Sequence, residues 1–215
     1  MKALVTNATG LLGANLIRAL RWEGHKVVAL VPSLTAATWF SSDSGVTPVA
    51  VQASDCISDG EVVFETTPGN ATVLSESGFA RFTTGELLAP GGPADSSLGV
   101  WIDQFLKTGQ VSRHFGGTRI TDARDLALTM IASAERRLSG HFSVAGPRVA
   151  YEDILVQLEA MSGVKAKAGG SVELAPLAPE LFGEPLNIGL RPIRETLLDL
   201  LQWHSTRHET STMVA

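Results

Sequence analysis

Cysteine occurs once in this chain, at Cys56, which excludes an intramolecular disulfide and every cysteine-rich zinc pattern. Charge is sparse: 18% of residues are Asp, Glu, Lys or Arg, and the formal net charge is -5. Without clustered Lys or Arg to neutralise phosphates, no nucleic-acid partner is expected. No apolar run approaches the ~20 residues that a membrane-crossing helix needs, so no membrane partner is expected either. The N-terminus reads as a strand from residue 2, with one lysine and no cleavage-site pattern, which points to a cytoplasmic protein. Other absences narrow the chemistry. No Gly-x-Ser-x-Gly elbow occurs, no Walker lysine follows the glycines, and tyrosine occurs once, at Tyr151. Long Pro-rich, Ser-rich or repeated segments are missing too, and Gly169-Gly170 is the one soft joint before the tail. With 44% hydrophobic residues, the chain can still bury a core of its own.

What is present is concentrated at the start: Ala3-Leu4-Val5-Thr6-Asn7-Ala8-Thr9-Gly10-Leu11-Leu12-Gly13. An apolar run, then small residues, then a helix is the layout that aims backbone N–H groups and the positive helix end at a pyrophosphate. Thr6, Asn7, Thr9, Gly10, Leu11, Leu12 and Gly13 are therefore candidate cofactor-binding residues. Gly10 keeps a Cβ away from the phosphate oxygens, Gly13 lets the helix pack close to the first strand, and Asn7 occupies the tight-turn position that calls for a left-handed residue. Leu12, Leu16, Ile17 and Leu20 form one helical stripe, and Gly24 closes the helix before a second strand, Lys26 to Val31. A plain structural turn is the alternative for a glycine triad taken alone.

Residues 1 to 33 resemble the opening of an extended short-chain dehydrogenase/reductase of the dihydroflavonol-reductase-like and sugar-epimerase-like branch, which usually reads TGATGFLG. Later segments share the resemblance in the same order. Ile120 to Ala127 is similar to the family's V-x-D-V-R-D-V-A stretch, Ser139 to Gly146 to its G-E-R-Y-I-L-G-G strand, and Tyr151 to Ser162 to its S-x-x-E-L-x-x-x-L helix. Gly189-Leu190-Arg191-Pro192, leading to Glu195 and Trp203, resembles the closing G-F-x-P and C-terminal helix. The resemblance implies an α/β fold: a Rossmann-like, doubly wound, mainly parallel sheet with a small C-terminal lobe on the substrate side. Residues 1–146 would form the dinucleotide-binding part, and residues 147–215 the helical lobe and tail. It also implies NAD or NADP as cofactor and a small-molecule ligand.

Between those ends the resemblance breaks. Family catalysis uses a Tyr-x-x-x-Lys pair, but Tyr151 is followed four positions later by Leu155, and it is read here as a packing residue. At 215 residues the chain is also short for the family, so the sheet is expected to be internally shortened at residues 56–84. That stretch, after a third strand at Pro48 to Val51, reads as Glu61–Thr66, a Pro68-Gly69-Asn70 turn, Ala71–Leu74 and Phe79–Thr83. It is too short for two βαβ units and is expected to form an antiparallel meander.

Site residues beyond the turn are fewer. The second strand ends Val31-Pro32-Ser33, with neither the acid that would bind a ribose diol nor the base that would bind a 2′-phosphate. Ser33 could bond a ribose hydroxyl or a phosphate, or simply cap the next turn. Gln52, with Asp55 nearby, falls where the family places its adenine-contacting aspartate. Thr84 stands in place of the proline of the family's N-P-x-x-V-x-G-P-G loop, beside the nicotinamide. Arg113 and His114 are polar candidates near the same cleft, with loop solvation as the alternative. His204 and His208 have a metal-ligand spacing but no third ligand, and Asp122, Arg124 and Asp125 read as a helix start. Three functions follow as alternatives: an oxidoreductase or epimerase with an atypical site drawing on Thr66, Thr67, Thr83 or Thr84; a non-catalytic dinucleotide-sensing protein; or a degenerate copy that dimerises over exposed sheet edges.

Overall fold

The computed structural model describes residues 1–50, 62–67, 70–76, 78–93, 96–111, 116–168, 183–186 and 188–212. The chain begins with β1 (Lys2–Val5), α1 (Leu11–Trp22), β2 (Lys26–Val31), a 3-10 turn at Leu34–Ala37, and β3 (Val46–Ala50). β4 (Val62–Thr67), β5 (Asn70–Ser75), β6 (Gly78–Thr84) and β7 (Glu86–Leu88) follow, then α2 (Ser97–Thr108), β8 (Gln110–Val111), β9 (Gly117–Asp122) and α3 (Ala123–Glu135). The remainder is β10 (Gly140–Val144), β11 (Arg148–Ala150), α4 (Tyr151–Ser162), β12 (Lys167–Ala168), β13 (Glu184–Pro185) and α5 (Ile193–Thr212).

Eight strands form the main sheet in the order β13-β10-β6-β5-β4-β1-β2-β3. Every neighbouring pair is parallel except the two that involve β5, which runs antiparallel to both β4 and β6. Two residues separate β4 from β5 and two separate β5 from β6. A parallel crossover needs a dozen or more, so the chain can only reverse there, and the expected meander is what forms. Its register is continuous with the rest of the sheet: Val5 lies beside Phe64, Phe64 beside Val73, and Val73 beside Ala80.

That register places one row of buried side chains against the helices. Ala3, Val5, Val27, Ala29, Phe64, Val73, Ala80, Phe82 and Phe142 share a core with Leu12, Leu16, Ile17 and Leu20 of α1 and Leu126, Met130 and Ile131 of α3. The leucine stripe read from the sequence is thus the packed face of α1, and Gly24, at φ 81°, provides the left-handed residue beyond its end. A second core joins Leu88, Leu98, Trp101, Ile102, Phe105 and Ile120 to Ile154, Leu158 and Leu197. It therefore gathers β7, α2 and β9 with α4 and α5, while β13 returns to the main sheet beside β10.

An ionic cluster ties the two ends of this arrangement together. Asp122 caps α3 by accepting from the Arg124 backbone N–H at 2.8 Å, and its carboxylate also receives the Arg124 side chain and the Thr196 hydroxyl. Arg124 reaches Asp199 at 2.6 Å, and Asp125 accepts from both the backbone and the guanidinium of Arg191. Residues 122–125 thus hold the entry to α5 and its first turns, in keeping with their reading as a helix start.

Candidate functional site

In this strand order the chain turns one way from β1 to β2 and β3 and the other way to β4, so a crevice opens at the carboxyl end of β1. The Thr6–Gly10 turn lies in it. Asn7 has φ 44°, the left-handed conformation expected of it. Its side-chain amide donates to the Thr66 carbonyl at 3.2 Å. Thr6 accepts on its hydroxyl from the Thr66 backbone N–H at 3.1 Å, and the Thr66 hydroxyl donates to the Thr6 carbonyl. Ala8 donates to the Leu30 carbonyl at 3.0 Å, so the turn is braced by both neighbouring strands.

Gly13 is required by contact: a Cβ there would sit 2.3 Å from the Asn7 carbonyl oxygen. Gly10 is the N-cap of α1, with extended backbone (φ -70°, ψ 168°) and no side-chain cap on the helix start. Leu11 and Leu12 are 4% exposed, so their side chains belong to the interior. Thr9, half-buried, lines a cavity of about 380 Å³ whose other walls include Arg18, Trp39, Gly91, Pro93 and Trp203. The loop at Pro90–Pro93 closes over α1, anchored by Asn15, which donates to the Pro90 carbonyl at 3.2 Å.

Ser33 precedes the 3-10 turn without capping it, and its exposed hydroxyl pairs with that of Thr35 at 2.9 Å. Thr84 ends β6 and donates its hydroxyl to the Gly85 carbonyl, while Thr83 donates to the Phe142 carbonyl. Gln52, Asp55, Cys56, Arg113, His114 and Gly169-Gly170 lie outside the described residues, as do the side chains of Thr67 and His208. Tyr151 is 7% exposed within the second core. Burial first, and then the Glu86 charge, push its phenol above its ordinary value, against the opposing Thr118 hydrogen bond and Arg148 charge. A phenol raised in this way is a poorer acid near neutrality.

A second cavity, of about 240 Å³, lies between α2 and α5 behind Leu11, Leu87 and Pro93. Its polar end is built by Asp103, which pairs with Lys107 at 2.6 Å and with His204 at 3.1 Å. His204 therefore serves a helix–helix contact. The residues that sequence reasoning missed at the first cavity are Arg18 and Trp39. Nothing in their spacing announces them, because they meet only when α1 packs beside the segment that follows β2.

No family model matches the chain, and no curated protein sequence matches it. Solved structures do. The chain is similar to MoeE5 in complex with UDP-glucose and NAD, with a TM-score of 0.67 at 14% identity, covering 96% of this chain and 99% of that one. It is similar to the dTDP-glucose 4,6-dehydratase of Bacillus anthracis in complex with NAD, with a TM-score of 0.65 at 9% identity, over 97% and 98% of the two chains. The yeast methylglyoxal/isovaleraldehyde reductase complexed with NADPH gives 0.64 at 10% identity, over 96% and 99%. At such identities the likeness establishes the fold, and it is the Rossmann-like fold expected from the sequence.

Proposed function

We propose that this chain binds NAD or NADP at the β1–α1 turn and is an oxidoreductase or epimerase of the extended short-chain dehydrogenase/reductase type with an atypical site. The observation that carries it is the turn itself: left-handed Asn7, close-packed Gly13 and an uncapped helix start beside Thr9, at the crevice where strand direction diverges. The residues present fit a dinucleotide, since main-chain donors at a helix start suit a pyrophosphate. Bound nicotinamide supplies hydride transfer, and the protein's part is to orient it and to manage protons. Here the hydroxyl hydrogens of Thr66 and Thr84 are committed to main-chain carbonyls, so neither is offered to a reacting oxygen. Turnover roughly 10²- to 10⁴-fold below that of an enzyme with a positioned acid is the expected consequence.

Calorimetric titration with NAD⁺, NADH, NADP⁺ and NADPH tests the binding, beside the Gly10→Asp variant. Aspartate is a favoured N-cap residue in the extended conformation Gly10 already has, so the variant should fold while setting a carboxylate against the phosphates. Micromolar binding that is lost in the variant supports the site; no binding of any of the four by folded protein removes it. A non-catalytic dinucleotide-sensing protein is the second reading, favoured by a single tyrosine enclosed in a core. Loss of NADH or NADPH absorbance on adding methylglyoxal separates the two, as does conversion of UDP-glucose or dTDP-glucose, the compounds named for its structural relatives.

A further inference from the structure

We infer that Arg18 is a phosphate-binding residue of this site and that it selects NADP(H) over NAD(H) by pairing with the 2′-phosphate of the adenosine ribose. The inference rests on the proposed dinucleotide site.

The Arg18 guanidinium lies over the Trp39 ring, 4.5 Å from its centroid. It also lines the cavity that begins at Thr9. Among the described residues it has no carboxylate partner and no hydrogen bond. Arg21, one turn on, shows the contrast: its guanidinium is held by Asp43 at 3.0 Å and by the His25 carbonyl at 2.6 Å. Stacking on an indole face fixes the plane of a guanidinium while leaving its donors open, which is the preparation that bidentate capture of a phosphate requires. Among the described residues, no other one lining this cavity carries a charge.

Its position fits a second anion rather than the pyrophosphate alone. Arg18 is seven residues beyond Leu11, about 10 Å along the helix axis, and helical side chains lean back toward the N-terminus. Adjacent loop residues locate the head group: a Cβ on Gly92 would touch Leu11 Cα at 2.8 Å, and one on Gly91 would touch Arg18 Nη1 at 2.4 Å. The guanidinium thus packs beside Gly91, and the helix start beside Gly92. Trp39 and Ala36, which share the cavity, belong to the segment that leaves β2 through Ser33. That exit carries no carboxylate at Val31, Pro32 or Ser33 to hold a ribose diol or repel a phosphate. Specificity is therefore supplied from α1, not from the end of β2.

The test is titration of the full chain and of Arg18→Met and Arg18→Lys with NADPH and NADH, each variant's folding being checked by thermal melting. Wild type should prefer NADPH. In Arg18→Met its dissociation constant should rise about ten- to a hundredfold, with NADH changed less than about threefold. Arg18→Lys should fall between, keeping the charge and losing the planar fork. Equal weakening of both cofactors would place Arg18 at the pyrophosphate and overturn the inference. So would a wild type that binds both cofactors alike, or a variant that leaves NADPH affinity unchanged; both leave the dinucleotide site standing. Failure of every cofactor to bind wild type would remove the site, and the inference with it.

Discussion

Asn7 shows how much one dihedral decides. At φ 44° it pays the strain of the left-handed region, which its side chain offsets by donating to the Thr66 carbonyl. Asn7→Ala loses that bond and keeps the strain, so it should lower unfolding free energy by about 1–2 kcal/mol. Asn7→Gly relieves the strain and should cost less. Urea unfolding of both variants decides it, and an alanine variant as stable as the glycine one would count against the account. Gly13, by contrast, is dictated by the carbonyl it touches, whereas Gly10 has a conformation open to any residue. Two glycines that look equivalent in the motif therefore have different physical reasons.

Elements are joined by their ends. The Asp122 cluster holds α3 to α5, and Asp122 is 4% exposed within it. Burial alone would raise its carboxyl; hydrogen bonds from Arg124 and Thr196 and the Arg124 charge outweigh that and hold it below the usual carboxylate range. A carboxyl lowered on folding contributes stability that is complete above its unfolded pKa, near 3.9, and is lost as pH falls through the lower folded value. Thermal midpoints should therefore drop as pH falls below about 4, the unfolded value. Asp122→Asn should melt lower at pH 7 and show a shallower acid decline than wild type. Parallel decline in the two proteins would mean that another carboxylate governs the acid limb.

At the scale of the whole molecule, a short meander does the work of spacing. β5 fills the place between β4 and β6, so β6 and β10 can extend the same sheet although only two residues connect β4 to β5 and two connect β5 to β6. The crevice at the end of β1 survives because it depends on β1, β2 and β4, all parallel and all on one side of that insertion. A ligand bound there should stabilise the fold as a unit. NADPH at a hundred times its dissociation constant adds about 2.7 kcal/mol. For a chain of this size that raises the melting midpoint by about 5–10 °C, measurable by scanning calorimetry. A midpoint indifferent to NADPH would contradict binding to the native state.

The β1–α1 turn, α1 with its buried stripe, β2 and the meander were legible in the chain because each rests on neighbours in sequence: Asn7 and the glycines, the spacing of Leu12, Leu16, Ile17 and Leu20, and the two-residue connections; α4 was legible through the resemblance of residues 151–162 to a family helix. Three things were settled only by tertiary packing. Arg18 meets Trp39 across separate segments, the Thr66 hydroxyl gives its hydrogen to the Thr6 carbonyl on another strand's turn, and the second core gathers β7 and α2 with α4 and α5. None of these leaves a periodic trace, because periodicity records which face of an element is buried, while the partner buried against it is chosen by the fold.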